Sequence, residues 1–174
     1  MQQQGVTLIQ LLYALMLITL LLHLGIPAYS DMSTRLQRQA SAQQLTQALN
    51  HARSEALQRN QIVVLQAIEG DWRNGWRTVL EQETRTLLHE YRASGRVLIV
   101  GNQPLAHQVR FSGLGTPLQG SGAFLAGTLH VCEDATARSH YQVVLSRSGR
   151  VSLRQALHEQ PRCAAAGSGQ RTHP

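Results

Sequence analysis

The sequence contains no lysine, and all 16 of its basic residues are arginine. Acidic residues are also few, only 10, so the formal net charge is +6. The planar guanidinium group of arginine pairs well with phosphates and carboxylates. The charge therefore favours an anionic partner, such as nucleic acid or acidic lipid headgroups. Arginine that only keeps the surface solvated would give the same balance, so charge alone leaves both interpretations open.

Cysteine is nearly absent as well, since the chain has only Cys132 and Cys163. They lie too far apart for a CxxC redox motif, and no further cysteine is present to build a zinc site. In an oxidising compartment the pair would form one disulfide that closes a loop of about thirty residues. Two unrelated buried thiols are the alternative.

Recognisable catalytic and metal-binding motifs are missing. The eight histidines are scattered, and the sequence holds no HExxH, HxH or G-x-S-x-G pattern. Glu81 and Glu83 lie close together, but nothing beside them indicates a general acid/base pair. The run Gly113-Leu114-Gly115 lacks the βαβ setting of a nucleotide-binding loop and is predicted to be a turn. We therefore expect no enzyme activity, no metal and no cofactor.

The one long hydrophobic run lies at the N-terminus, from Val6 to Ile26. As a helix it would be about 30 Å long, the thickness of the hydrocarbon core of a bilayer. Pro27 follows and is expected to break or kink that helix. A secretory signal peptide cut at Ala28-Tyr29-Ser30 would need a basic start, which residues 1–5 lack, and a shorter apolar stretch. An uncleaved signal anchor and a chain cut after Gly5 are the two other interpretations.

The start of this run resembles the class III leader of type IV pilins and type II secretion pseudopilins. The matching residues are Gly5-Val6-Thr7-Leu8-Ile9-Gln10-Leu11-Leu12, against G-F-T-L-I-E-L-L in the family. The resemblance implies that prepilin peptidase cleaves between Gly5 and Val6, with Val6 in place of the usual Phe. Gln10 stands where the family usually has the Glu that pairs with the N-terminal amine of a neighbouring subunit. A glutamine brings no charge to that pair.

Beyond Pro27 the pattern predicts a helix to about Arg59, followed by short strands. Small and aliphatic residues recur at helical spacing, at Leu36, Ala40, Leu45, Ala48, Leu49, Ala52 and Ala56. Runs typical of strands follow at 62–68, 76–80, 86–91, 97–100, 128–132, 141–145 and 151–153. Strands so closely spaced, with no helices between them, favour an antiparallel sheet. The predicted fold class is α+β, a long N-terminal spine helix with a membrane half and an amphipathic half, packed on an antiparallel β-sheet head.

The head resembles the pseudopilin H group of type II secretion and the FimT/FimU-like minor pilins. The shared motifs, in chain order, are Ala52-Arg53-Ser54-Glu55-Ala56 with Arg59-Asn60, Trp72-Arg73-Asn74-Gly75-Trp76, Phe111-Ser112-Gly113 with Gly115, and Ser148-Gly149-Arg150-Val151. The resemblance implies a leader peptide at 1–5, a transmembrane half of the spine helix at 6–27 and an amphipathic half at 28–60. A β-rich head at 61–163 and a flexible tail at 164–174 complete the predicted division.

Arginines near the C-terminus form a candidate DNA-binding set, Arg138, Arg147, Arg150, Arg154 and Arg162. Strand alternation puts Arg150, Ser152 and Arg154 on one outer face. A disulfide between Cys132 and Cys163 would bring Arg162 back towards the strand at 128–132. Several guanidinium groups on one surface suit non-specific contact with phosphates.

FimT-like pilins are associated with DNA capture through a basic G-R-x-R motif. Gly149-Arg150-Val151-Ser152 keeps the first arginine of that motif and has serine at the second, while Arg154 lies two residues further on the same face. Arginines that only keep an exposed strand soluble are the alternative.

Together these resemblances imply a minor pilin of a type IV pilus. The expected location is the inner membrane, with a single span and a periplasmic head, and then an extracellular or periplasmic filament. The expected partners are other major and minor pilins or pseudopilins, prepilin peptidase, the inner membrane and double-stranded DNA taken up in natural transformation. A type II secretion pseudopilin acting in protein export and a secreted soluble binding protein are the alternatives.

Overall fold

The computed structural model describes residues 8–82, 85–133 and 138–155, together with Cys163. The chain divides into two compact units, one ending at Gln37 and the other beginning at Arg38. A 52-residue helix α1 runs over Leu8–Arg59. Nine strands follow it, β1 Val63–Ala67, β2 Gly75–Leu80, β3 Thr86–Arg92, β4 Leu98–Gly101, β5 Gln108–Phe111, β6 Pro117–Leu118, β7 Gly127–Cys132, β8 Ser139–Leu145 and β9 Val151–Gln155.

The first unit is helical from Leu8 onward. Its described large apolar side chains are exposed, for example Leu12 at 54%, Met16 at 68% and Leu20 at 56%. Helix α1 continues past Pro27, so the helix does not break at that residue; a kink there stays a prediction.

Within the described part of the chain, no helix combines the length and the hydrophobicity that crossing a membrane requires.

In the second unit, α1 buries a stripe of five side chains that are 0% exposed, Ala42, Leu45, Leu49, Ala52 and Ala56. Their spacing of three and four residues puts them on one face of the helix. Leu36 and Ala40, which recur at helical spacing with these residues in the sequence, lie in α1 but are exposed. At 3.6 residues per turn, Ala40 lies about 180° around the helix from Leu49.

Asn60 ends α1 in the left-handed region, with φ of 51°. Its amide donates to the carbonyl of Leu57, and the amide of Gln61 donates to the carbonyl of Ala56. This pair of hydrogen bonds is a Schellman motif, in which asparagine can replace the usual glycine. The motif satisfies carbonyls at the end of the helix and turns the chain into β1.

The strands form two antiparallel sheets rather than one, in the orders β3-β2-β1-β5-β6 and β4-β7-β8-β9. Side chains from α1 and from both sheets belong to a single buried cluster. Leu65 and Phe111 of the five-stranded sheet are 0% exposed, as are Leu129 and Val143 of the four-stranded sheet. The α+β fold class, with a long helix and antiparallel sheets, is therefore confirmed.

Candidate functional site

The candidate site lies on β9, which forms one edge of the four-stranded sheet and pairs only with β8. Val151 and Leu153 are half-buried and pack against the core. Arg154 is exposed and lies opposite Gln142 of β8. The amide of Ser146 donates to the carbonyl of Arg150 at 3.0 Å, which continues the ladder by one rung. Arg150 therefore shares the outer face with Arg154, as strand alternation predicts.

Among the described residues, the arginines at this edge have no acidic partner. Arg147, Arg150 and Arg154 are exposed, and within the described ranges none of them forms an ion pair. The sequence from residue 139 to residue 155 contains no Asp or Glu. Other arginines of the second unit are paired with carboxylates, in Arg38–Glu133, Arg59–Glu55, Arg92–Glu90 and Arg110–Glu81. β9 and the turn before it thus carry three arginines without a carboxylate partner among the described residues, a state shared by Arg77 and Arg96 elsewhere in the second unit.

The spacing of these arginines suits a long polyanion better than a small anion. Arg150 and Arg154 are four residues apart, which is about 13 Å at 3.3 Å per residue of strand. Duplex DNA carries one negative charge per about 1.7 Å of its axis, hence about eight charges over that length. An open strand edge with two separated guanidinium groups can contact phosphates without reading base sequence.

The remaining predicted residues are dispersed. Arg138 is exposed and precedes β8, whereas Arg147 lies in the turn after it, so the length of β8 separates the two. Gln10 lies on an exposed part of α1. Arg162, Gly5 and Val6 fall outside the described residues, as do Glu83 and the tail from residue 164.

Cys132 and Cys163 form the expected disulfide, with their Cα atoms 6.5 Å apart. Both cysteines are buried and share a small cluster with Leu98. The alternative of two unrelated buried thiols is therefore wrong. Cys132 lies opposite Ser139 on β8, at the end of the sheet nearer Arg154 than Arg147.

The turn that carries Arg147 and Arg150 is built on Ser146. The hydroxyl of Ser146 accepts a hydrogen bond from the amide of Arg150 at 3.0 Å. The amide of Gly149 donates to the carbonyl of Ser146 at 2.9 Å. Gly149 has φ of +79°, a value that glycine adopts without strain.

Arg53 of α1 contacts this turn, although sequence reasoning assigned it no role. Its Nη2 donates to the carbonyl of Ser148 at 3.3 Å. Its Nε donates to the carbonyl of Gly115, in another turn, at 3.0 Å. The motifs around Arg53 and Gly149 are visible in the sequence, but 95 residues separate Arg53 from Ser148. No local pattern predicts a contact over that separation.

Across the described ranges, no three His, Cys, Asp or Glu side chains come together as a metal site.

A family described as "Type II transport protein GspH" matches residues 41–149. No curated protein sequence shows a significant match.

Two solved structures are similar to the chain, and both are crystal structures of the type IV minor pilin FimU from Pseudomonas aeruginosa. The one in space group P21 has a TM-score of 0.60 and 20% sequence identity, over 76% of this chain and 98% of FimU. The one in space group P65 has a TM-score of 0.59 and 21% identity, over 72% and 98% of the two chains. At this level of identity the likeness establishes the fold.

Proposed function

The chain belongs to the GspH family of type II transport proteins, and from that premise we propose that it is a minor pilin of a type IV pilus whose head binds DNA non-specifically. The support for the pilus is the fold, which resembles the type IV minor pilin FimU over 98% of that protein. The single observation that carries the DNA-binding role is a set of exposed arginines on β9 and the turn before it, Arg147, Arg150 and Arg154, which form no ion pair with any described residue.

A type II secretion pseudopilin is the second candidate, because the description of the matching family names type II transport. Deletion of the gene in its own organism separates the two functions. We expect the deletion to lower the number of surface pili seen by electron microscopy and to leave protein export unchanged. Loss of export with normal pili would instead assign the chain to secretion.

Anchoring by residues 6–27 is part of the proposal and stays a prediction. Its support is the uncharged apolar run in the sequence and the exposed aliphatic side chains of α1, such as Leu12 and Leu20. It stands beside the finding that no described helix qualifies as a membrane span. Alkaline extraction of membranes tests it: the full chain should stay in the pellet, and a chain that begins at Arg38 should be released.

Processing by prepilin peptidase is the other part of the proposal that concerns the N-terminus. Mass spectrometry of the protein from its own cells should give Val6 as the first residue, and a Gly5→Leu variant should remain uncut. A first residue at Asp31 would support the secreted soluble protein instead.

The DNA-binding role is tested by fluorescence anisotropy with a labelled duplex at several salt concentrations. We expect a dissociation constant on the order of 1–100 µM, rising steeply with salt. The Arg150→Ala/Arg154→Ala variant should lose most of this affinity. The matched control is Arg59→Ala/Arg92→Ala, which removes the same charge from arginines that are already paired with Glu55 and Glu90.

The Arg59→Ala/Arg92→Ala control distinguishes binding at the β9 edge from binding that depends only on net charge. Full affinity in the control and lost affinity in the Arg150/Arg154 variant assign binding to the β9 edge. Equal losses in the two variants would mean that only net charge matters. If the wild type does not bind duplex even at low salt, the DNA-binding role is excluded and only the assembly role remains.

A further inference from the structure

Two turns of the head have the same hydrogen-bonded construction. In one, Ser112 is followed by Gly115 and Thr116, and in the other Ser146 is followed by Gly149 and Arg150. In each turn the amide of the glycine donates to the carbonyl of the serine, at 2.8 Å for Gly115 and 2.9 Å for Gly149. In each, the serine hydroxyl accepts from the amide of the residue after the glycine, at 3.3 Å for Thr116 and 3.0 Å for Arg150.

The two turns touch each other at their glycines. A Cβ atom on Gly149 would lie 2.2 Å from the carbonyl oxygen of Gly115, and 2.9 Å from Nε of Arg53. Both glycines are buried. Arg53 reaches this junction from α1 and bonds to one carbonyl in each turn, at Gly115 and at Ser148. The planar guanidinium can do this because its N–H groups point in several fixed directions, which a lysine ammonium cannot match.

We propose that Arg53 is a positioning residue for the phosphate-binding edge, because it holds the turn that presents Arg147 and Arg150 against α1 and against the turn at Gly115. The inference rests on the proposed DNA-binding function. Arg53 is half-buried, and its hydrogen bonds at this junction go to backbone carbonyls rather than outward. Its effect on DNA is therefore exerted through the turn. A held turn keeps Arg147 and Arg150 in place before DNA arrives, so less conformational freedom is lost on binding.

The test is a double-mutant cycle on the full chain in non-ionic detergent, with a labelled duplex as the probe. The first arm replaces Arg53 by Gln and, separately, by Lys. The second arm is Arg147→Ala/Arg150→Ala, and the third combines it with Arg53→Gln. Arg77→Gln is the charge control, because Arg77 is exposed on β2 of the other sheet.

We expect both Arg53 variants to bind duplex at least about threefold more weakly than the wild type, since coupled neighbours commonly show effects of that size. Arg53→Lys keeps the net charge, so its loss would not be a charge effect. In the Arg147→Ala/Arg150→Ala background, Arg53→Gln should cause no further loss. Amide hydrogen exchange at Gly149 and Arg150 should be faster in both Arg53 variants, with the exchange of the core strands unchanged.

Other outcomes overturn the inference. Additive losses would mean that Arg53 contacts phosphate itself, and full affinity in Arg53→Lys would mean that only its charge matters. Faster exchange throughout the core would assign Arg53 a general role in folding. If the wild type binds and the Arg53 variants bind equally well, the positioning role alone fails. If the wild type does not bind duplex, the proposed DNA function fails and this inference fails with it.

Discussion

At the scale of single residues, Gly149 shows how one backbone position constrains the candidate site. Its φ of +79° is in the left-handed region, and a Cβ atom there would meet the carbonyl oxygen of Gly115 at 2.2 Å. The left-handed conformation alone costs a residue with a side chain roughly 1–2 kcal/mol. The close contact adds to that cost because the opposing atom belongs to the backbone and cannot rotate away.

Gly149→Ala should therefore lower the free energy of unfolding by more than about 2 kcal/mol. Gly95→Ala is the matched control, since Gly95 has φ of +71° and no atom within 4 Å of the position that a methyl group would take. The control should lose only the conformational part, roughly 1–2 kcal/mol. Urea denaturation measures both values. Equal losses in the two variants would show that the turns at Gly115 and Gly149 are not in contact.

Arg150 and Arg53 illustrate what single residues reveal in the sequence and what they do not. The outer-face position of Arg150 follows from the period of two along a strand, so it could be predicted. The contact of Arg53 with Ser148 depends on how α1 and two distant turns meet in three dimensions. The ion pair between Arg38 and Glu133, likewise 95 residues apart, was missed for the same reason.

At the scale of elements, α1 gives the clearest difference between pattern and structure. Its apolar and small residues fit more than one stripe, because alanine is common on several faces. The buried face is the one that includes Leu45 and Leu49, both 0% exposed, while Leu36 is 55% exposed. Only the packing of the sheets against the helix selects this face.

Leu49→Ala should lower the free energy of unfolding by roughly 2–5 kcal/mol, because it leaves a cavity in the core. Leu36→Ala removes the same atoms from an exposed site and should change the free energy of unfolding by no more than about 0.5 kcal/mol. Thermal unfolding followed by circular dichroism compares the two. A large loss in Leu36→Ala would mean that Leu36 is buried, against its exposure in the structure.

The strands show a similar limit. Seven were predicted near their observed positions because they are runs of β-branched and aliphatic residues bounded by turn residues. The two that were missed, β5 and β6, have four and two residues. Val109 and Phe111 alternate with polar neighbours in β5, which is the pattern of a half-buried strand, so β5 was missed although its signal is present in the sequence. The division into two sheets depends on β1 pairing with β5 and on β4 pairing with β7, and both are contacts between distant segments.

At the scale of the whole molecule, buried side chains are confined to one of the two units. Every buried residue of the described chain lies at Arg38 or beyond it. The described large apolar side chains before Arg38 are exposed and so contribute little to the stability of the head. In the proposed function they serve to anchor the subunit instead. The arrangement allows anchoring and folding to be separated by experiment.

A chain that begins at Arg38 should unfold cooperatively, with a melting temperature within about 5 °C of that of the full chain, since about 1 kcal/mol shifts a domain of this size by a few degrees. A chain that begins at Asn50 is the control. It lacks Ala42, Leu45 and Leu49, all fully buried, and should fail to show a cooperative transition because each lost leucine costs roughly 2–5 kcal/mol. Differential scanning calorimetry measures both. Failure of the first chain to fold would show that residues before Arg38 stabilise the head, and the exposed apolar surface would then need a role within the subunit rather than in a membrane or a filament.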